Sequence, residues 1–140
     1  MENRILGFHH ITAIAGNAKK NLEFYTQVLG LRLVKKTVNF DDPGTYHFYF
    51  GDEVGSPGSI LTFFPWEGTG QGTNGTGMAT SIGYSVPGGS LDFWKDRFKN
   101  HHVNIGNVAE RFGEQLLAFR DPDGLGIELV VPPVTDNRKP

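Results

Sequence analysis

Residues 21–30, "NLEFYTQVLG", decide the fold because part of this stretch occurs twice in the chain. Leu22–Tyr25 reads LEFY, and Leu91–Trp94 reads LDFW about 70 residues later. A second pair of equivalent positions, Asp52 and Asp121, has the same offset. Self-similarity at a fixed offset indicates that one structural unit is present in two copies.

The first copy predicts a helix that begins after Asn17 and ends at Gly30. Leu22, Tyr25 and Leu29 are spaced so that one helical face carries all three apolar side chains. Asn favours the N-cap because its side chain accepts a backbone N–H, and Gly favours the position just past a helix.

Runs rich in β-branched and aromatic residues predict one strand before this helix and three after it. The same order follows in the second copy, where Ser90 is the candidate N-cap. The predicted strands are 8–15, 31–40, 45–52 and 59–66 in the first copy, then 80–87, 103–113, 114–121 and 126–133 around a helix at 89–102.

The Gly/Thr-rich stretch "EGTGQGTNGTG" cannot pack into a core and predicts a linker between the copies. We therefore expect an α+β domain of two βαβββ modules, with the helices outside a cupped, partly closed, mixed eight-stranded sheet. The hollow of such a sheet suits a small ligand. The predicted boundaries are 1–66 and 78–133 for the modules, 67–77 for the linker and 134–140 for a polar tail.

Composition narrows the function classes. A chain of 140 residues with 38% hydrophobic and 20% charged residues is long enough for one folded domain. A net charge of −2 disfavours nucleic acid as a partner. The absence of cysteine excludes disulfides and thiolate chemistry, so a metal would need His, Asp or Glu. No apolar run predicts a membrane span, and a cytoplasmic location is expected.

The motifs "HHITAIA", "NLEFYTQVLGLRLV" and "FRDPDGLGIELV" resemble the vicinal oxygen chelate superfamily, which includes glyoxalases, bleomycin-resistance proteins and extradiol dioxygenases. A longer stretch, "VLGLRLVKKTVNFDDPGTYHFYFGDEVGSPGSILTFFPW", is similar to the N-terminal half of two-domain ring-cleaving dioxygenases of the hydroquinone type. The resemblance implies that metal ligands come from the first and last strands of each module.

Carried onto this chain, the resemblance makes His10 and Glu128 the candidate metal ligands. The two remaining positions are degenerate, because Ser81 is a poor ligand and Leu61 cannot bind a metal. Thr62, the neighbour of Leu61, is the alternative residue at the last of these positions.

Strand alternation assigns the two adjacent histidines to opposite faces, with His10 toward the hollow beside Thr12. His9, Thr12 and His47 are candidate groups that support the ligand or act in catalysis. An Fe(II) oxygenase needs two His and one carboxylate, so the ligand set of this chain is incomplete.

Two explanations remain open for the missing ligand. In the first, the chain is about half of a two-domain enzyme, and the second vicinal oxygen chelate domain supplies a His and a Glu. In the second, the chain forms a homodimer that brings His10 and Glu128 into one cup.

The predicted function is a metal-dependent, extradiol-type ring-cleaving dioxygenase that uses O2 on a hydroquinone- or catechol-like aromatic. Fe(II) is the expected cofactor, with Mn(II), Ni(II) or Zn(II) as alternatives. The competing hypotheses are a non-catalytic small-molecule binding module of the bleomycin-resistance type and a glyoxalase-like isomerase or lyase.

Overall fold

The computed structural model describes residues 4–134, which form two compact units divided between Thr69 and Gly70. Apart from Val134, the predicted polar tail lies outside the described residues. Residues 67–80 between the last strand of one unit and the first strand of the next are exposed and belong to no helix or strand. Each unit is described below by itself.

The first unit contains the predicted order of one strand, one helix and three strands. Its helix begins as an α-helix and continues into a π-helical turn, and Gly30 follows in the left-handed region with φ 73°. The elements are β1 (His10–Ala15), α1 (Ala18–Glu23), the π-helical turn (Phe24–Val28), β2 (Arg32–Val38), β3 (Tyr46–Gly51) and β4 (Ile60–Pro65).

The second unit repeats this order. Its elements are β5 (Ser81–Ser85), α2 (Leu91–Asn100), β6 (Ala109–Arg111), β7 (Glu114–Arg120) and β8 (Gly126–Val131). Its sheet has the strand order β5-β8-β7-β6, and the first sheet has the equivalent order β1-β4-β3-β2. In both sheets the first strand is parallel to the last, and the other pairs are antiparallel.

The predicted α+β class and the two βαβββ modules are therefore confirmed, and the eight strands are divided equally between two open, mixed sheets. No helix among residues 4–134 is both long and apolar enough to cross a membrane.

Each unit buries one face of its sheet in an aromatic and aliphatic core. In the first unit Tyr25 from the π-helical turn stacks on Phe50 with 5.2 Å between ring centroids, and Phe63 lies 4.7 Å from Tyr25. In the second unit the ring centroid of Phe98 from α2 lies 4.4 Å from that of Phe119. Burial of each large apolar side chain stabilises the fold by about 1.5–3 kcal/mol.

The repeat extends to a side-chain hydrogen-bond motif in the turn between the last two strands of each unit. Asp52 Oδ1 accepts the backbone N–H groups two and four residues later, at Val54 and Ser56. Asp121 Oδ1 accepts N–H groups at the same two spacings. The N–H of Ser56 is the main cause that holds the pKa of Asp52 below its usual range. Equivalent aspartates therefore close equivalent turns.

Two local expectations differ from the structure in detail. Ser90 is the N-cap residue of α2, as predicted, but its hydroxyl donates to the Pro87 carbonyl and accepts no helical N–H. The strand predicted at 103–113 is reduced to β6, three residues long, with one isolated bridge from Ile105 to Phe119 before it. Glycine and asparagine in that segment favour turns over extended pairing.

The two helix starts predict different responses to removal of the capping side chain. Asn17 Oδ1 accepts the N–H of Lys20 at 3.0 Å, so Asn17→Ala should reduce the free energy of unfolding by about 1 kcal/mol. Ser90→Ala should reduce the free energy of unfolding by clearly less, because no helical N–H loses its acceptor. Urea denaturation of both variants measures the difference. Equal losses would contradict the assignment of the cap to Asn17 alone.

Candidate functional site

The two adjacent histidines contact each other at the start of β1. Nδ1 of His9 lies 3.1 Å from Nδ1 of His10, and the rings meet edge to face with centroids 5.3 Å apart. His9 precedes the first paired residue of β1, so strand alternation does not govern its direction. The expectation that the two imidazoles point to opposite faces was therefore wrong. In one tautomer His9 supports His10 directly through a hydrogen bond between the rings.

The register of the first sheet defines which side chains share a face with His10, because residues paired across strands point to the same side. We call this surface the His47 face. It is opposite to the face that contacts Tyr25. Its members are His10, Thr12 and Ile14 of β1, Ile60, Thr62 and Phe64 of β4, His47 and Tyr49 of β3, and Arg32, Lys35 and Thr37 of β2.

The last strand of this unit presents Thr62, and not Leu61, to the His47 face. Thr62 pairs with Thr12, and its hydroxyl donates to the Thr12 hydroxyl at 2.9 Å. Leu61 pairs with Ile11 and is 1% exposed within the core. Of the two residues considered for the degenerate ligand position, the register therefore puts Thr62, and not Leu61, on the face of His10.

His47 is enclosed by aromatic rings on this face. Its ring centroid lies 4.0 Å from that of Phe64 and 4.3 Å from that of Tyr49, whose hydroxyl is 3.1 Å from His47 Nδ1. Burial, followed by the positive charges of His10 and Lys35, lowers the pKa of His47 from its ordinary value of 6.5. His47 is therefore neutral at pH 7, and one ring nitrogen is left as an acceptor.

The second ring nitrogen of His47, Nε2, is buried without a hydrogen-bond partner among the described residues. A buried polar atom without a partner costs about 1–3 kcal/mol, so such atoms are rare and often belong to functional sites. A hydroxyl group that donated to Nε2 would remove this cost. His47 thus combines an aromatic environment with an unused hydrogen-bonding atom.

In the second unit, the candidate ligand Glu128 has a cation as its partner. Nη1 and Nη2 of Arg111 donate to the carboxylate, at 3.2 and 2.5 Å, and the Glu128 side chain is 16% exposed. The hydrogen bonds to Glu128, with its negative charge, raise the pKa of Arg111. Ser81 lies on the same sheet face, since it pairs with Gly126 two residues before Glu128.

The described residues do not complete a metal site. No group of three His, Asp or Glu side chains comes together anywhere in residues 4–134. His10 has the right chemistry for one ligand, but none of the positions that make up the His47 face holds a carboxylate. Glu128 instead forms an ion pair with the guanidinium group of Arg111. The donor set within either unit thus does not fit a facial triad.

Comparison with known proteins identifies the family. A model of the "Glyoxalase/Bleomycin resistance protein/Dioxygenase superfamily" matches residues 7–129. The chain belongs to this superfamily. A protein of Bacillus subtilis (strain 168), named "Putative ring-cleaving dioxygenase MhqO", is 54% identical over 130 residues, which are 93% of this chain and 41% of that protein. The chlorohydroquinone/hydroquinone 1,2-dioxygenase of Sphingobium indicum is 38% identical over 133 residues, again 41% of its length.

Solved structures agree with the fold. A crystal structure described as a "putative dioxygenase" from Bacillus subtilis has a TM-score of 0.87 and 54% identity, and it aligns with 91% of this chain and 41% of its own. FosX of Listeria monocytogenes, complexed with Mn(II), has a TM-score of 0.70 at 18% identity and covers 94% of this chain and 96% of its own, which supports the fold alone. The chain spans about two fifths of the length of its curated relatives.

Sequence reasoning missed three residues that define these surfaces. Arg111 forms hydrogen bonds with Glu128, and Tyr49 forms one with His47. The charge of Lys35 helps to lower the pKa of His47. Alternation around His47 was a usable signal for Tyr49, two residues later in the same strand. No sequence pattern pairs Arg111 with Glu128, because the pairing depends on the register of three strands.

The lowered pKa of His47 predicts a dependence of stability on pH. The unfolded chain takes up a proton near pH 6.5, whereas the folded chain does so at lower pH. The stability that comes from neutral His47 is complete above pH 6.5 and is lost as the pH falls through the lowered value. His47→Gln should flatten this decrease, as measured by urea denaturation of the metal-free chain from about pH 8 to about pH 5.

His102→Asn is the control, since exposed His102 has φ 56°, a conformation that Asn tolerates. This variant should retain the pH dependence of the wild-type chain. A decrease in stability that is equally steep in His47→Gln and in the wild type would contradict the role of His47.

The ion pair of Glu128 predicts a non-additive response. Arg111→Met leaves a carboxylate that is mostly buried without its cation, and Glu128→Gln leaves a guanidinium without its anion. Each variant should unfold at a lower urea concentration, and the double variant should lose less than the sum of both. Lys95→Met, which breaks an exposed pair with Asp92, is the control and should have a smaller effect. Strict additivity would contradict the pairing.

Proposed function

We propose that this chain forms part of a ring-cleaving dioxygenase that uses O2 to open a hydroquinone- or catechol-like aromatic ring. The observation that carries the proposal is the His47 face, where His10 shares one sheet surface with the aromatic side chains of His47, Tyr49 and Phe64. Identity of 54% to MhqO and 38% to the hydroquinone 1,2-dioxygenase supports the same reaction class.

The residues of this face suit a phenolic substrate. Phe64 and the ring of His47 offer aromatic surfaces against which a substrate ring can pack. His47 Nε2 has no partner, and a phenol hydroxyl can donate to it or accept from it, according to which ring nitrogen carries the proton. The hydroxyl of Thr12, already bonded to Thr62, fixes a second polar group at the edge of the same surface.

We propose an extradiol-type reaction with Fe(II) as cofactor and His10 as one of its ligands; Mn(II), Ni(II) and Zn(II) are the alternatives. Since the described residues do not assemble a full ligand set, the proposal requires further ligands from a second domain of this superfamily or from a second copy of the chain. His9 then fixes the orientation of His10, as hydrogen-bonded partners of metal-binding histidines do.

One observation favours a second candidate function. No three potential ligands meet within residues 4–134, which suits a module that binds an aromatic molecule without a metal. Such a module would hold its ligand on the same His47 face. Affinity for the aromatic ligand in the presence of a chelator separates the two candidates. A binding module that needs no metal retains this affinity.

Oxygen consumption tests the proposed reaction. The 140-residue chain and the natural gene product that contains it are loaded with Fe(II) under nitrogen and mixed with hydroquinone or catechol in aerated buffer. We expect O2 uptake with formation of a ring-opened acid in at least one of the two forms. His10→Asn should lower the uptake rate and the Fe(II) affinity by at least about tenfold, since a ligand is lost.

His102→Asn is the matched control, because it removes an exposed imidazole at the end of α2. It should keep both values within about twofold of the wild type. The dioxygenase proposal fails if neither form consumes O2 with either substrate, or if His10→Asn behaves like His102→Asn. Aromatic binding that persists in a chelator, without O2 uptake, would instead establish the binding module.

A further inference from the structure

The His47 face is basic and has no acidic residue to balance it. Lys35 places positive charge near His47, and no carboxylate is among the causes that lower the pKa of that ring. None of the paired strand positions on the face is Asp or Glu. Arg32, on the same face, donates to the Glu53 carbonyl, which is not a counter-ion. A surface that carries Lys35 and Arg32 without a carboxylate attracts an anion.

The nitrogen of Lys35 lies next to the aromatic part of the face. Lys35 Nζ is 5.5 Å from the ring centroid of Tyr49, with which Lys35 is paired across the strands. Lys35 forms no ion pair with a carboxylate among residues 4–134. The ammonium group is therefore available to a ligand whose ring lies beside Tyr49.

The aromatic part of the face is continuous. The ring of His47 lies between those of Phe64 and Tyr49. Its centroid is 4.0 Å from that of Phe64, with an interplanar angle of 30°, and 4.3 Å from that of Tyr49, with an angle of 41°. The hydrogen bond between the Tyr49 hydroxyl and His47 Nδ1 fixes the two rings relative to each other. A planar ligand that packs on these rings reaches Lys35 at one side.

We propose that the His47 face binds an aromatic anion, a phenolate or an arenecarboxylate, with the ammonium group of Lys35 as its counter-ion. The inference rests on the proposed function and deepens it, because it specifies that the substrate binds in a negatively charged form. Lys35 is then a residue that determines specificity, and it takes no part in the chemistry on the ring.

Adjacent Lys36 provides a matched control. The register pairs Lys35 with Tyr49 and Lys36 with Phe48, so the two lysines leave opposite faces of the sheet. Lys36 Nζ lies 4.2 Å from the ring centroid of Tyr46 on the other face. Both lysines are exposed, and Lys→Met at either position removes the same charge from the chain.

The experiment measures binding to the metal-free chain in a chelator by NMR titration. The probes are 4-nitrophenolate, benzoate, the neutral aromatic benzamide, and cyclohexanecarboxylate, which is an anion without an aromatic ring. At least one aromatic anion should bind about three- to tenfold more tightly than benzamide and cyclohexanecarboxylate, the range expected for one partly exposed ion pair. The two anionic probes distinguish a phenolate from a carboxylate as the preferred group.

Lys35→Met should abolish the preference for the aromatic anion, whereas Lys36→Met should keep it within about twofold. The inference is overturned if benzamide binds as well as both aromatic anions, if no probe binds, or if the two variants behave alike. Its failure is distinct from failure of the dioxygenase proposal. Selective binding without O2 uptake refutes only the reaction, and O2 uptake without selective binding refutes only the role of Lys35.

Discussion

The parallel pairing of the first strand of each unit with its last strand is the constraint on which both candidate surfaces depend. It places β1 beside β4 and β5 beside β8, although these strands are far apart in the sequence. In the first unit it puts Thr12 beside Thr62, and in the second it puts Ser81 on the face of Glu128. A shift of one residue in either pairing would exchange polar and core residues on every position of the strand.

Much of the fold follows from the sequence because the repeat, the helix spacing and the strand composition agree with one another. The site followed less completely, since its members depend on register. The choice between Leu61 and Thr62 required the pairing of β4 with β1, and the direction of His9 required the point at which β1 begins. The partner of Glu128, Arg111, lies in the three-residue strand β6. Residue propensities did not predict the bounds of this strand.

The two units share one topology but differ in the electrostatics of the equivalent sheet face. In the first unit, basic side chains lie beside aromatic rings and a histidine nitrogen has no partner. In the second, the one acidic residue at a candidate ligand position is neutralised by Arg111. Similar backbones therefore carry one surface suited to a ligand and one surface in which the corresponding charge is internally compensated.

The aspartate turns separate the connection between two strands from the side chains that those strands carry. Asp52 and Asp121 each accept backbone N–H groups at the same two spacings, so one side chain fixes the turn between the last two strands of each unit. The His47 face and the ion pair of Glu128 take no part in these hydrogen bonds. The two units can therefore carry different surfaces on the same turn.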